Sequence, residues 1–181
     1  MKILSVIGVS NSGKTTTIEK IVGELLRRSY TVGTVKNIHC PHFAMDVEGT
    51  DTDRHKKAGS QMVVAWGLCE TDILIPKRLD IEEILGCFKH DFVIIEGMRE
   101  CRYPKIVTAR SLEEIEMMLD PTVFSVSGVI ANTLTEYKHL PVINSLTKAE
   151  LLVDLIERQF LSPISSVMYD VYAEEKENGA V

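Results

Sequence analysis

Eight consecutive residues, Gly8-Val9-Ser10-Asn11-Ser12-Gly13-Lys14-Thr15, carry the spacing GxxxxGK[ST]. Each fixed type has a chemical use. Gly8 and Gly13 admit backbone angles that a side chain would forbid. The intervening N–H groups, through Ser10, Asn11 and Ser12, then converge on one point. That point lies at the positive end of the following helix, which is the geometry of an anion cradle. Lys14 can reach the β- and γ-phosphates of a nucleotide, and the Thr15 hydroxyl can ligate Mg²⁺. The alternative is a Gly-rich turn that caps a helix and binds nothing. An apolar run before the motif and an amphipathic helix pattern after it favour the cradle.

A magnesium nucleotide needs carboxylate near Thr15. Glu96 ends the apolar run FVII, so it falls at the carboxyl end of a strand, where parallel sheets collect ligands. It could instead pair with a neighbouring Lys or Arg. Asp51 is the second candidate, with capping of a short helix as its alternative; Asp46 and Asp53 compete for the same role. His39, Cys40 and His42 follow the second strand with Lys36. Their spacing completes no standard four-ligand zinc set, so the expectation is a lid or substrate loop facing anionic groups, or a plain solvated loop. Arg54, His55, Lys56 and Lys57 form a basic run that is either a solvated helix face or a patch for a second phosphate-bearing ligand. Arg99, Arg102, Lys105 and Arg110 add positive charge after Glu96. Asn132 follows an apolar run and could hydrogen-bond a purine, although Asn132-Thr133-Leu134-Thr135 is not the Asn-Lys-x-Asp signature of many GTPases.

The elements that must hold these residues are legible as alternating periods. Residues 2–7, 31–37, 91–97, 104–110 and 126–132 read as strands. Residues 14–29 read as a helix, with Ile18, Ile21, Val22, Leu25 and Leu26 on one face. A loop at 38–50 leads to a short helix from Asp51 that stops near Gly59. Residues 61–66 and 71–75 suggest an edge β-hairpin, with Trp66 packed beside it. Asp80 with Glu83, Ser111 with Glu114 and Thr147 with Glu150 have helix-starting spacing. The last of these opens a final helix whose apolar stripe is Leu151, Leu152, Leu155 and Ile156. Met117, Met118 and Met168 read as core filler. The fold class is therefore α/β: a mostly parallel sheet flanked by helices.

The chain of 181 residues is expected to form one nucleotide-binding domain over 1–172, with a polar, frayed tail at 173–181. With 20 Lys and Arg against 26 Asp and Glu, the net charge is −6. That balance argues against general affinity for nucleic acid or anionic membrane, so any phosphate must be held by a local device. No signal peptide or membrane span is expected. The four cysteines make no CxxC pair and are expected to be reduced thiols in a cytoplasm.

Taken in order, GVSNSGKTTTIEKIV, TVK with His39 and His42, the block Thr50-Asp51-Thr52-Asp53-Arg54-His55-Lys56-Lys57-Ala58-Gly59, then VIIEG and PKIVTAR resemble the molybdopterin-guanine dinucleotide biosynthesis protein B (MobB) family. The resemblance implies a P-loop NTPase fold of the dimeric SIMIBI type that binds GTP with Mg²⁺ and hydrolyses it slowly. It implies an adaptor that assists a partner nucleotidyltransferase in attaching GMP to molybdopterin. By position, Gly13, Lys14, Thr15 and Thr16 would hold phosphates, and Thr15, Asp51 and Glu96 would surround the metal. Lys36, His39 and Arg54 would line the catalytic or pterin-facing region. Asn37 stands where the family often has His, so no role of a histidine there carries over. A small-molecule kinase and a nucleotide-gated metal chaperone using His39, Cys40 and His42 are the rival readings.

Overall fold

A computed structural model describes residues 1–161. In chain order the elements are β1 (Lys2–Gly8), α1 (Lys14–Arg27), β2 (Val32–Lys36), α2 (Asp51–Lys57), β3 (Val63–Trp66), β4 (Thr71–Leu74), α3 (Ile81–Leu85) and β5 (Phe92–Glu96). They continue with β6 (Lys105–Thr108), α4 (Leu112–Met118), β7 (Val123–Ser127), β8 (Glu136–Tyr137), β9 (Leu140–Pro141) and α5 (Ala149–Leu161). The described residues form two compact units. One is Met1–Asn37 with the described residues from Phe88 onward, and the other is Ile38–Cys87.

The first unit is built on a five-stranded parallel sheet in the order β2-β5-β1-β6-β7. Its central strand is apolar on both faces because helices cover both. Leu4 and Val6 of β1 join Ile94 and Ile106 against Ile18, Ile21 and Leu25 of α1 and Leu152, Val153 and Ile156 of α5. Ile7 points the other way, with Val107 and Val126, toward Ile115 of α4. Alternation along a strand thus feeds two cores. The chain leaves β1 toward β2 and β5, and later returns to β1's other side as β6 and β7. The carboxyl end of β1 is therefore the point where the winding reverses, the usual ligand crevice of such sheets. Register sets Glu96 opposite both Val6 and Lys36, and Gly8 opposite Thr108.

Helices α1 and α5 are also joined by charge. Glu24 is buried and accepts from Arg27 Nε at 2.7 Å and Arg28 Nε at 2.7 Å. Arg28 continues to Asp154 at 2.8 Å and Glu157 at 2.6 Å. The hydrogen bonds from Arg27, then Arg28, hold the Glu24 carboxyl down to about 2.

The second unit contains α2, α3 and the antiparallel pair β3–β4, in register from Val63 opposite Leu74 to Trp66 opposite Thr71. The expected hairpin forms, but as a separate two-stranded sheet and not at the edge of the parallel one. Trp66 does not pack beside it: the residue is 89% exposed.

Three further expectations shift. The strand expected at 126–132 is β7 at Val123–Ser127, because Gly128, at φ +87°, ends it and a 3₁₀ turn occupies Val129–Asn132. Leu151 and Met117 are exposed, and Val153 takes the core position on α5. The small β8–β9 hairpin was not foreseen; its turn, Lys138-His139, has positive φ at both residues without a glycine. Met168 and the tail at 173–181 lie outside the described residues. No helix among the described residues is long and apolar enough to cross a membrane.

Two stability predictions follow from this packing. Leu25→Ala, at a fully buried site, should cost about 2–5 kcal/mol in a urea unfolding titration. Because the Glu24 carboxyl is depressed from 4.5 to about 2, its contribution is complete above 4.5 and is lost as pH falls toward 2. Urea midpoints should fall across that window, and Glu24→Gln should lower stability at neutral pH while flattening the acid slope.

Candidate functional site

The loop after β1 is shaped by backbone contacts. Gly8 sits at φ +152°, and a Cβ there would lie 2.2 Å from the Thr108 carbonyl oxygen and 2.7 Å from Ser12 Oγ. Asn11 takes the left-handed conformation at φ +61°. Ser12 is buried; its hydroxyl donates to the Val9 carbonyl at 2.8 Å and lies 2.7 Å from Thr108 Oγ1. Gly13, at φ +103°, meets Gly128, where a Cβ would come within 2.3 Å of the Ser12 carbonyl. The Val129 N–H closes this contact by donating to Ser12 O at 3.3 Å. Thr108 and Gly128 thus brace the loop from β6 and β7. The sequence reading missed both, and the only local signal was a glycine directly after an apolar strand.

Four expected residues meet at this edge. Lys14 Nζ donates to the carbonyls of Gly8 at 3.0 Å and Val9 at 2.7 Å, so the cation lies over the loop. Burial lowers its pKa; Glu96 opposes this and Lys36 adds to it. Thr15 Oγ1 donates to Glu96 at 3.3 Å, and Lys36 Nζ stands 3.3 Å from Glu96 Oε1. Pairing of Glu96 with a lysine and its placement beside Thr15 therefore occur together. The hydroxyl and carboxylate are hard oxygen donors. They suit Mg²⁺, which takes one or two protein oxygens and completes its shell with water and phosphate.

The other expected residues belong to the second unit. Thr50, not Asp51, caps α2, accepting from the Asp53 N–H at 3.3 Å. Asp51 is exposed and pairs with Arg54 at 3.3 Å. Asp46 accepts from Lys56 at 2.6 Å and from the hydroxyls of Thr50 and Thr52, and the Lys56 bond leads in holding its carboxyl down to about 2. Lys57 bonds Asp53 at 2.9 Å and Glu48 at 3.0 Å. Arg54, Lys56 and Lys57 are thereby paired with carboxylates of their own unit. No group of three or more His, Cys, Asp and Glu is placed to hold a metal ion among the described residues, so His39, Cys40 and His42 do not form one. This unit also holds a cavity of about 640 Å³, bordered by Cys40, Phe43, Ile73 and Lys77.

Three of the cations that follow Glu96 serve the scaffold. Arg99 donates to the Met117 carbonyl, Lys105 is buried against Asp120 at 2.8 Å, and Arg110 Nε bonds Glu114 at 2.8 Å. Asn132 ends the 3₁₀ turn and lines a cleft of about 140 Å³ together with Gly13, Thr16, Thr17, Gly128 and Asn144. Its side-chain oxygen accepts from Asn144 Nδ2 at 2.8 Å. Asn144 was not singled out in the sequence.

Residues 3–131 match the family described as Molybdopterin guanine dinucleotide synthesis protein B. The chain is 28% identical over 147 residues to a probable molybdopterin-guanine dinucleotide biosynthesis adapter protein of Bacillus subtilis, covering 79% of this chain and 85% of that one. It is 30% identical over 154 residues to the molybdopterin-guanine dinucleotide biosynthesis adapter protein of Haemophilus influenzae, covering 78% and 84%. Its fold is similar to the crystal structure of Bacillus subtilis MobB, with a TM-score of 0.72 at 24% identity over 86% of this chain and 98% of that one. It is also similar to a MobB homologue from Bacillus stearothermophilus, with a TM-score of 0.66 at 22% identity, covering 87% and 99%. The architecture is that of an α/β P-loop NTPase.

Glycine substitutions should separate the loop from its helix. Gly8→Ala, which drives a methyl into Thr108, should destabilise by about 1–3 kcal/mol in urea unfolding. Gly23→Ala, in α1 with open space around it, should stabilise by about 0.5–1 kcal/mol in the same assay.

Proposed function

The chain belongs to the Molybdopterin guanine dinucleotide synthesis protein B family, and from that premise we propose that it is a GTP-binding adapter in the formation of molybdopterin guanine dinucleotide. The observation that carries the nucleotide half of this reading is the convergence of Lys14, Thr15, Lys36 and Glu96 at the carboxyl edge of the parallel sheet. The adapter half rests on the likeness to the adapter proteins of Bacillus subtilis and Haemophilus influenzae.

In this reading the loop N–H groups from Ser10 to Gly13 take the phosphate oxygens, with Thr16 beside them. Lys14 exchanges two neutral carbonyl partners for a phosphate anion, and charge-assisted hydrogen bonds are the stronger kind. Mg²⁺ would be held by Thr15 and Glu96 and would neutralise charge on the β- and γ-phosphates. Lys36 pairs with Glu96 and orients it. Lys14 and Lys36 are point charges, and Arg99 and Arg110 are engaged elsewhere, so this set supports only slow hydrolysis. The proposed partners are molybdopterin, a nucleotidyltransferase that attaches GMP to it, and a second copy of this chain. His39 and Arg54 are the residues proposed to face the pterin.

Calorimetric titration with GTP and Mg²⁺ tests the core of this reading. Lys14→Ala should lower affinity by about 100-fold or more, and unchanged affinity would remove the site. Glu96→Gln should weaken binding with Mg²⁺ by about 10–100-fold and leave metal-free binding nearly unchanged. The charged form of Lys14 is the one that holds phosphate, and its pKa is lowered. Affinity should therefore fall as pH rises through a value below the ordinary lysine range, and the fall should be missing in Lys14→Ala.

A further inference from the structure

The cleft beside Gly13 has two features that the phosphate cradle does not use. Val129 and Leu146 line it, and both keep large apolar side chains exposed, 48% and 61%. Apolar side chains left in water at the mouth of a polar cleft suit a flat ring better than solvent. The floor is already closed: Thr17 Oγ1 and Ser145 Oγ lie 3.2 Å apart, and both residues are buried. What distinguishes one ring from another is left to Asn132 and Asn144.

The orientation of these two amides follows from a backbone group whose polarity is not in doubt. The Leu146 N–H is a donor, and it points at Asn144 at 2.9 Å, so the atom it meets must be Oδ1. Asn144 Nδ2 is then the group facing Asn132 at 2.8 Å, and it can only donate. Asn132 must answer with Oδ1. Its Nδ2 makes no protein hydrogen bond among the described residues and turns a donor outward. An outward donor accepts a purine whose 6-position carries oxygen and opposes one whose 6-position carries an amino group.

We propose that this cleft is the base subsite of the nucleotide site, and that Asn144, by fixing the amide of Asn132, selects 6-oxopurine over 6-aminopurine triphosphates. The proposal rests on the triphosphate reading and adds to it a positioning residue, Asn144, and a contact residue, Asn132. A merely structural Asn144 would affect all ligands alike; a positioning one changes only the choice of base. In Asn144→Asp, one carboxylate oxygen still accepts from Leu146, but the other now accepts toward position 132. The Asn132 amide must turn round to donate inward, and it then presents its oxygen to the base.

The test is a calorimetric panel of GTP, inosine triphosphate, ATP and inorganic tripolyphosphate, each with Mg²⁺. The wild-type chain should bind GTP and inosine triphosphate about tenfold or more tighter than ATP. Asn144→Asp should reduce the GTP-to-ATP ratio by about tenfold and leave tripolyphosphate affinity within about twofold. Asn132→Asp, at an exposed position that does not endanger folding, should act in the same direction. Equal wild-type affinity for GTP and ATP, or an unchanged ratio in both variants with tripolyphosphate still bound, overturns the base assignment and leaves the phosphate cradle standing. Failure of the wild-type chain to bind tripolyphosphate and every nucleotide overturns both.

Discussion

Everything at the carboxyl edge of the sheet depends on three backbones approaching closer than side chains allow. The end of β1 touches β6 at Gly8 and Thr108, and the loop touches the end of β7 at Ser12, Gly13 and Gly128. A Cβ at Gly8 or Gly128 would lie within 2.3 Å of a carbonyl oxygen. Glycine is therefore a steric requirement at these positions, and the positive φ at each is the conformation that it alone adopts without cost. The contact turns the loop carbonyls of Val9 and Ser12 back onto the protein, where Ser12 and Val129 satisfy them. The Ser12 N–H also turns inward, to the Val9 carbonyl at 3.4 Å, while the Ser10 and Asn11 N–H groups make no backbone hydrogen bond among the described residues.

Charge is handled in the same local way. A chain with net charge −6 has no general attraction for a polyphosphate. The first unit concentrates Lys14 and Lys36 around one carboxylate, Glu96, and engages its remaining nearby cations in scaffold bonds. The second unit ties Arg54, Lys56 and Lys57 to Asp51, Asp46, Asp53 and Glu48.

Features set by short-range pattern were legible in the sequence. The loop motif, the strand before it and the face of α1 all follow from residues within one turn or strand of each other, and Glu96 at the end of FVII follows from strand polarity. Features set by partners far along the chain were not. Nothing near residue 128 says that its Cβ would strike Ser12, and nothing near residue 144 says that it orients Asn132. The hairpin was visible as two β-like runs, but its separation from the main sheet is a matter of pairing, which alternation does not encode. Trp66 illustrates the same limit: aromatic character predicts burial, yet Trp66 and Val64, on one face of the short strand, are both exposed. The β8–β9 turn escaped notice because Lys138 and His139 adopt positive φ without the Asn or Gly that ordinarily announces it.

The strained loop and the rigid sheet beneath it are one design. Asn11 is held at φ +61°, a left-handed conformation that asparagine visits more readily than other residues with a side chain but that still carries a cost. Such strain persists only where the surroundings over-determine it. Here the surroundings are β1 and its neighbours, whose Leu4, Val6, Ile94, Ile106 and Val107 are all fully buried. The sheet fixes Gly8 opposite Thr108, α1 begins at Lys14, and the five residues between them have no other path. Pre-paid ordering of this kind leaves the binding energy of an anion free to hold the anion and not to shape the loop. It also explains why the carboxyl ends of β1, β6 and β7 set the distance between the Gly8–Gly13 loop and the cleft that Asn132 and Asn144 line.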